Sequence, residues 1–143
     1  MANPRRSLMR TAGRISVALY RATSGRIGGK VGALKVLLLT VAGRRTGVAH
    51  TTAVSYFLDG DRYVVTGSGG GSPRDPQWFR NLRAATEAEI EVGARKLAVN
   101  VTIAEGADRD ALWQALLVHA PRFAKYQAKV ERQIPMAVLA PRT

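Results

Sequence analysis

The sequence predicts an α+β protein in which about six mainly antiparallel strands form a barrel with flanking helices. Short apolar runs rich in valine, threonine, tyrosine and phenylalanine are separated by tight turns, such as the hairpin signal Asp59-Gly60-Asp61. Helical patterns are few and lie between these hairpins, whereas a doubly wound parallel sheet needs a helix after nearly every strand. The chain has 143 residues and no cysteine, which is enough length for one core without disulfides.

A basic helix and a glycine-rich joint are predicted over residues 1–34. Apolar residues recur there at roughly helical spacing, and arginines occupy many of the remaining positions. The apolar residues are Leu8, Ile15, Ala18 and Leu19, the arginines are Arg5, Arg6, Arg10, Arg14 and Arg21, and the joint contains Gly25, Gly28, Gly29 and Gly32. We expect the helix to pack on the barrel. The alternatives are a helix on an anionic membrane surface and one that closes over an apolar substrate.

Residues 35–143 are predicted to form the barrel, and strands dominate its first half. The predicted strands there are Val36–Val41, Ala49–Leu58 and Arg62–Thr66. A basic turn, Gly43–Gly47, joins the first two, and the hairpin at residues 59–61 joins the last two. We therefore expect these strands to be antiparallel.

The second half combines a loop with short helices and further strands. The loop is residues 68–76, the helices start near Asp75-Pro76, Asp108 and Pro121, and the strands contain residues 89–92, 97–103 and Ile134–Leu139. Glu89 and Glu91 alternate with apolar residues, so both carboxylates are expected on the solvent face of their strand. Gly93 turns the chain into the next strand and completes a second hairpin.

Composition and charge exclude several classes of function. The absence of cysteine excludes thiolate chemistry, and the two histidines, His50 and His119, do not have zinc-site spacing, so no metal site is expected. The net charge of +12 favours an anionic partner. Specific nucleic-acid binding is not expected, since clustered aromatics and recognition motifs are missing. No apolar run is long enough to span a bilayer, and arginines interrupt any secretory signal. We expect a cytoplasmic protein, with peripheral contact at the inner membrane face as the alternative.

The basic turn between the first two strands is a candidate anion site. Arg44, Arg45 and Thr46 place two guanidinium groups, a hydroxyl and open backbone amides in one tight connection. Such a set suits a phosphate. The alternative is an ordinary solvated turn, which basic residues also form.

A glycine-rich loop is the second candidate site. In Gly67-Ser68-Gly69-Gly70-Gly71-Ser72 the missing side chains allow a flat ligand to approach the backbone and accept amide hydrogen bonds. The loop does not have the spacing of a dinucleotide fingerprint. The alternative is a flexible loop without a ligand.

Three segments resemble signatures of the deazaflavin (F420)-dependent nitroreductase family, in that family's order and spacing. The first is Leu37-Leu38-Leu39-Thr40 with Gly43–Gly47; the second is Ser68-Gly69-Gly70-Gly71 through Asp75-Pro76-Gln77-Trp78-Phe79 and Asn81-Leu82-Arg83-Ala84; the third is Phe123-Ala124-Lys125-Tyr126-Gln127, Arg132-Gln133-Ile134-Pro135 and Val138-Leu139-Ala140-Pro141. The resemblance implies a split β-barrel that binds coenzyme F420 and transfers hydride to an apolar conjugated acceptor, such as a quinone or a nitroaromatic.

The resemblance also implies roles for particular residues. Those assigned to the cofactor are Arg44, Arg45, Thr46, His50, Thr52, Gly67, Ser68, Gly69, Gly70, Trp78 and Asn81. Those assigned to the acceptor are Trp78, Phe123 and Tyr126, with Ser68 and Tyr126 as the catalytic hydrogen-bond donors. The chain departs from the family pattern at His50, Ala53, Thr86 and Phe123, where arginine, proline, proline and, in some members, tyrosine stand.

Two alternatives belong to other classes. The same barrel is suited to holding a fatty acid or other lipid without catalysis, and a related barrel binds flavin mononucleotide or haem. The sequence leaves the oligomeric state and the physiological acceptor open.

Overall fold

The computed structural model describes residues 17–26, 30–31 and 34–142, and its centre is a closed antiparallel barrel. Seven strands form one sheet in the order β1-β2-β3-β4-β7-β6-β5, and β5 also pairs with β2. The strands are β1 (Lys30–Val31), β2 (Leu34–Ala42), β3 (Ala49–Asp59), β4 (Arg62–Thr66), β5 (Glu87–Val92), β6 (Arg95–Ile103) and β7 (Met136–Pro141). The second pairing of β2 closes six strands into a barrel, which confirms the predicted fold class.

Helices flank this barrel on the outside. Residues 17–22 are helical and are called α1 here; the others are α2 (Gln77–Arg83), α3 (Gly106–His119) and α4 (Phe123–Ala128). The predicted cap Asp108 lies in the first turn of α3, since Glu105 has the extended backbone of the N-cap position. Pro121 precedes α4, and β7 begins two residues later than predicted because Ile134 and Pro135 lie outside the ladder.

Strand β2 is buried on both faces, which explains its continuous apolar run. Leu37 and Leu39 point into the barrel interior, where Val65, Phe79 and Ile90 are also fully buried. Side chains from the other face of β2, such as Leu38, lie under α1. Because side chains fill the interior, any ligand site must lie outside the barrel wall.

A second apolar cluster holds α3 and α4 against the outer face of the sheet. Trp113, Leu116 and Phe123 from the helices pack with Phe57 and Val64 from the strands. This arrangement makes the helices one wall above β3 and β4, and a wall of this kind can enclose a ligand against the sheet.

Glu91 was expected on the solvent face, and that expectation is wrong. Its side chain is buried, and its carboxylate accepts a hydrogen bond from the Arg21 guanidinium at 2.8 Å. Tyr20 from α1 donates to the Glu91 carbonyl at 3.2 Å and accepts from the Gly93 N–H at 2.8 Å. The alternation of the strand does not reveal this partner, which is about seventy positions earlier in the chain.

Two of the four apolar residues expected to hold the N-terminal helix do not pack on the barrel. Ala18 and Leu19 are exposed, whereas Tyr20 is buried and packs with Val36 and Leu38. The other residues that define the predicted basic helix and joint lie outside the described ranges: Arg5, Arg6, Leu8, Arg10, Arg14, Ile15, Gly28, Gly29 and Gly32. The described end of the helix therefore packs on the barrel, and the division at residue 34 stays a prediction.

Tyr20→Phe tests how α1 is attached. The change removes one hydroxyl that bonds two backbone groups, so the free energy of unfolding should fall by about 1–2 kcal/mol. Chemical denaturation measures it. Tyr63→Phe is the matched control, because the Tyr63 hydroxyl makes no hydrogen bond within the described ranges. An equal loss in both variants would contradict the anchoring role of Tyr20.

Candidate functional site

The basic turn between β2 and β3 is closed by its own hydrogen bonds. Gly43 donates its N–H to the Val48 carbonyl at 2.8 Å, and Gly47 donates to the Gly43 carbonyl at the same distance. Gly47 has a φ of 72°, which favours glycine. The Thr46 hydroxyl accepts the Val48 N–H at 3.2 Å. The turn is thus shaped before any ligand arrives.

Helix α2 fixes the direction of Arg44. The side-chain oxygen of Asn81 accepts the Arg44 backbone N–H at 3.1 Å and its guanidinium at 2.8 Å. The Gln77 oxygen accepts from the same guanidinium nitrogen at 3.0 Å. Partial desolvation, followed by the charges of Arg80 and Arg45, lowers the pKa of Arg44. Asn81 therefore orients the first arginine of the turn.

A cleft of about 600 Å³ lies where the turn meets α2. Its described lining contains four arginines and no carboxylate, so it has a strong positive potential. The lining consists of Val41, Gly43, Arg44, Arg45, Thr46, His50, Thr52, Arg74, Gln77, Trp78, Arg80 and Asn81. The chemistry of this donor set fits a polyanion.

The glycine-rich loop is shaped by two different requirements. Gly69 has a φ of 54°, and a Cβ there would lie 2.3 Å from the Ser72 hydroxyl oxygen. Gly67 has ordinary backbone angles, but a Cβ would lie 2.9 Å from the Phe79 ring. Packing alone requires glycine at position 67, and Gly67 lines neither this cleft nor the cavity described next, so its assignment to the cofactor stays a prediction.

A second, smaller cavity of about 160 Å³ lies between the outer face of the sheet and the helical wall. Trp78 lines both spaces and so marks their border. The rest of the second lining combines residues that are mostly apolar by type with exposed hydroxyl and backbone groups: Leu34, Ala53, Val54, Ser55, Tyr56, Phe57, Val64, Thr66, Ser68, Gly69, Gly70, Leu116 and Phe123. An apolar space with a few hydroxyls suits a flat organic molecule with polar oxygens.

Most of the predicted site residues come together in these two spaces. The cleft contains Arg44, Arg45, Thr46, His50, Thr52, Trp78 and Asn81, and the cavity contains Ser68, Gly69, Gly70, Trp78 and Phe123. Tyr126 lines neither space, but its ring packs edge-on against Phe123 with the centroids 5.1 Å apart.

The sequence did not single out several residues that line the site. Arg74 precedes α2 and Arg80 lies in its last turn, and both add to the positive charge of the cleft. Ser55 and Thr66 add hydroxyls to the cavity. The hairpin signal could have predicted that Ser55 and Thr66 lie side by side. Asp59 pairs with Arg62 across the hairpin, and the same register brings positions 55 and 66 together.

The fold and the site define a class: a split β-barrel protein with a basic cleft for a polyanion next to an apolar cavity for a flat molecule. The model of the F420H(2)-dependent quinone reductase family matches residues 12–141. An F420H(2)-dependent quinone reductase of Mycobacterium tuberculosis is 40% identical over 133 residues, covering 90% of this chain and 89% of that protein. The chain belongs to the F420H(2)-dependent quinone reductase family. The resemblance to F420-dependent reductases is thereby confirmed.

Solved structures agree on the architecture. An F420-H2 dependent reductase matches with a TM-score of 0.66 and 26% identity, covering 73% of this chain and 92% of that one. A domain-swapped dimer matches with a TM-score of 0.70 and 22% identity, covering 96% and 99%. The match to the domain-swapped dimer shows only that the two proteins share a fold.

Two further findings concern membranes and metals. None of the helices within the described ranges combines the length and the apolar character needed to cross a bilayer. In the same part of the chain, no three histidine, aspartate or glutamate side chains converge as a metal site.

Asn81→Ala tests the orientation of Arg44. Without the amide oxygen the guanidinium loses its direction, so affinity for inorganic pyrophosphate should fall about threefold to tenfold, the cost of one or two hydrogen bonds. Calorimetry at low salt measures it. Asn100→Ala, at an exposed position on β6, should bind as the wild type does. Equal affinity in both variants would contradict the role given to Asn81.

Proposed function

We propose that this protein reduces quinones with hydride from reduced F420, and that the basic cleft and the apolar cavity hold the cofactor and the acceptor. The observation that carries the proposal is their contact at Trp78, which brings a polyanion site and a site for a flat molecule side by side. Membership of the F420H(2)-dependent quinone reductase family supports it.

The residues of the cleft fit the cofactor's anionic tail of phosphate and glutamates. Arg44, Arg45 and Thr46 would bind the phosphate, and Arg74 and Arg80 extend the positive surface. Arg44 is held by Asn81 before binding, which reduces the entropy lost when the anion is bound. The other cleft residues assigned to the cofactor are His50 and Thr52.

The glycine loop and Trp78 would hold the flat ring system at the border of the two spaces. Ser68, Gly69 and Gly70 present backbone without bulky side chains, so a planar group can lie close to it. Gly67 contributes indirectly, because its missing side chain allows Phe79 to pack beneath the loop.

When bound, reduced F420 supplies two electrons and a hydrogen as hydride, and the quinone also takes up one proton to become a hydroquinone. The protein's part is to orient the reactants, exclude water and stabilise the negative charge that develops on the quinone oxygen. The Ser68 hydroxyl lines the cavity and would donate to that oxygen.

Tyr126 is proposed as the second donor on the acceptor side. Its ring packs against Phe123, and Phe123 lines the cavity. A tyrosine hydroxyl there can deliver a proton to the reduced acceptor. Nitroaromatics are a second acceptor class for the same apolar space, although Phe123 lacks the hydroxyl that some related reductases carry.

The remaining proposals concern location and partners. We expect a cytoplasmic enzyme. Peripheral contact with an anionic membrane rests on the arginines at positions 5–14, which lie outside the described ranges, and the helical residues 17–22 are docked on the barrel. Contact with the membrane is therefore a proposal for residues 1–16 alone.

Titration with oxidised F420 tests the function directly. Saturable binding at moderate salt, followed by cofactor fluorescence, is expected, and so is quinone-dependent oxidation of reduced F420. Absence of binding would overturn the proposal and favour the lipid-binding alternative. A coloured protein with a flavin or haem spectrum after purification would favour the flavin mononucleotide or haem alternative.

Arg44→Ala and Arg45→Ala test the tail site. Each should raise the dissociation constant of F420 about 5- to 100-fold, the range for a charged hydrogen bond. The effect should be larger for Arg44, whose guanidinium is already oriented. Arg95→Ala, at an exposed arginine at the start of β6, is the control and should leave affinity unchanged. Wild-type affinity in both test variants would exclude this turn as the tail site.

Tyr126→Phe tests the acceptor side. Loss of the hydroxyl should slow quinone reduction about tenfold or more while F420 affinity stays close to that of the wild type. Stopped-flow oxidation of reduced F420 gives the rate, and fluorescence titration gives the affinity. A large loss of F420 binding would instead place Tyr126 beside the cofactor.

A further inference from the structure

We propose that Arg132 is a positioning residue that holds the glycine loop, residues 67–75, so that two backbone N–H groups face the acceptor cavity. The inference rests on the proposed function, because it assigns a role within the same site. Arg132 acts through the loop and contacts neither of the two spaces directly.

The Arg132 guanidinium binds four acceptors on the loop. Nε donates to the Ser72 carbonyl at 3.1 Å, and Nη2 donates to the Ser68 carbonyl at 3.0 Å. Nη1 donates to the Gly67 carbonyl at 3.1 Å and to the Asp75 carboxylate at 2.6 Å. The Arg132 side chain is only 16% exposed. A planar group with five donors can satisfy such a set, whereas a lysine ammonium has three donors and no plane.

The direction of the amides follows from peptide geometry. In a trans peptide the C=O and N–H groups point in opposite directions. The carbonyls of Gly67 and Ser68 are bound to Arg132, so the N–H groups of the same two peptides, those of Ser68 and Gly69, point away from it. Neither N–H donates to an acceptor within the described part of the chain.

The two sides of the loop are different spaces. Ser68 and Gly69 line the apolar cavity, which does not include Arg132. Arg132 lines a separate cleft of about 350 Å³ together with Arg74, Asp75, Arg80 and Gln133. The loop therefore separates the arginine from the cavity, and the two amides are turned toward the cavity side.

Arg132 is itself fixed to the helical wall. Its carbonyl accepts from the Gln127 side chain at 2.8 Å, and the Gln127 oxygen accepts the Ile134 N–H at 2.9 Å. Asp75 is also approached by Arg83 of α2 at 3.3 Å. The contacts thus join the loop to α4, which carries Phe123, and to α2, which carries Trp78.

Two neighbouring amides on the cavity side are suitable donors to a quinone oxygen on which negative charge develops. Donors that are already oriented stabilise this charge without reorganisation during the reaction. Arg132 would therefore affect the rate of reduction more than the binding of the cofactor's tail, which lies in the basic cleft.

Arg132→Gln and Arg132→Lys test this role in the whole protein. We expect Arg132→Gln to lower kcat for quinone reduction by about 10- to 100-fold, as for loss of an oriented donor. The dissociation constant of F420 should rise by a smaller factor than kcat falls, because the arginines of the basic cleft remain when the loop beside the ring loosens. Arg132→Lys should recover only part of the rate. The control Arg95→Gln should match the wild type.

Hydrogen–deuterium exchange without any ligand gives a second readout. Peptides covering residues 67–76 should exchange at least several-fold faster in Arg132→Gln, while peptides from β2 and β6 keep the wild-type rate. Asp75→Asn removes the negative charge that pairs with Arg132 and Arg83, and it leaves the carbonyl bonds of Arg132 in place. It should show a smaller effect of the same kind, and it serves as the test variant if Arg132→Gln does not fold.

Each outcome either supports or overturns the role proposed for Arg132. It is overturned by wild-type kcat in Arg132→Gln, by unchanged exchange of the loop, or by equal losses in kcat, F420 affinity and overall protection, which would indicate a purely structural role. Failure of the wild type to bind F420 would instead overturn the proposed function, and the exchange data would still decide whether Arg132 holds the loop.

Discussion

The pairing of β2 with both β3 and β5 is the interaction on which the rest of the structure depends. It closes the sheet, so the interior can be filled with side chains such as Leu39 and Ile90, which stand opposite each other in the register. It also fixes where β2 ends, and the basic turn follows directly. Because the interior is full, the binding surfaces form on the outside, where helices cover the barrel wall.

The two spaces at the site separate two physical tasks. The cleft is suited to an anion, since its described lining has four arginines and no carboxylate, and binding there should weaken as ionic strength rises. The cavity is suited to a flat molecule with polar oxygens, since its wall combines aliphatic and aromatic residues with hydroxyl and backbone groups. A ligand that is anionic at one end and flat at the other satisfies both.

The barrel could be predicted from the sequence because the signals for its strands and turns are local. Hairpin signals, alternation and the continuous apolar run of β2 each depend on a few neighbouring residues, and they agree with the structure except for the alternation at Glu91. The sequence did not predict contacts between side chains that lie far apart along the chain. Glu91 looked solvent-facing by alternation, but Arg21 binds it in the folded protein. Arg132 belonged to a recognised motif, yet its four loop contacts require the tertiary fold.

The position of Trp78 makes its fluorescence a useful signal. The chain contains two tryptophans, and the other, Trp113, packs among the helices beside the Arg109 guanidinium. An indole at the boundary between the cleft and the cavity is placed to exchange excitation energy with an aromatic chromophore on either side. The protein thus has an intrinsic optical probe at its candidate binding site.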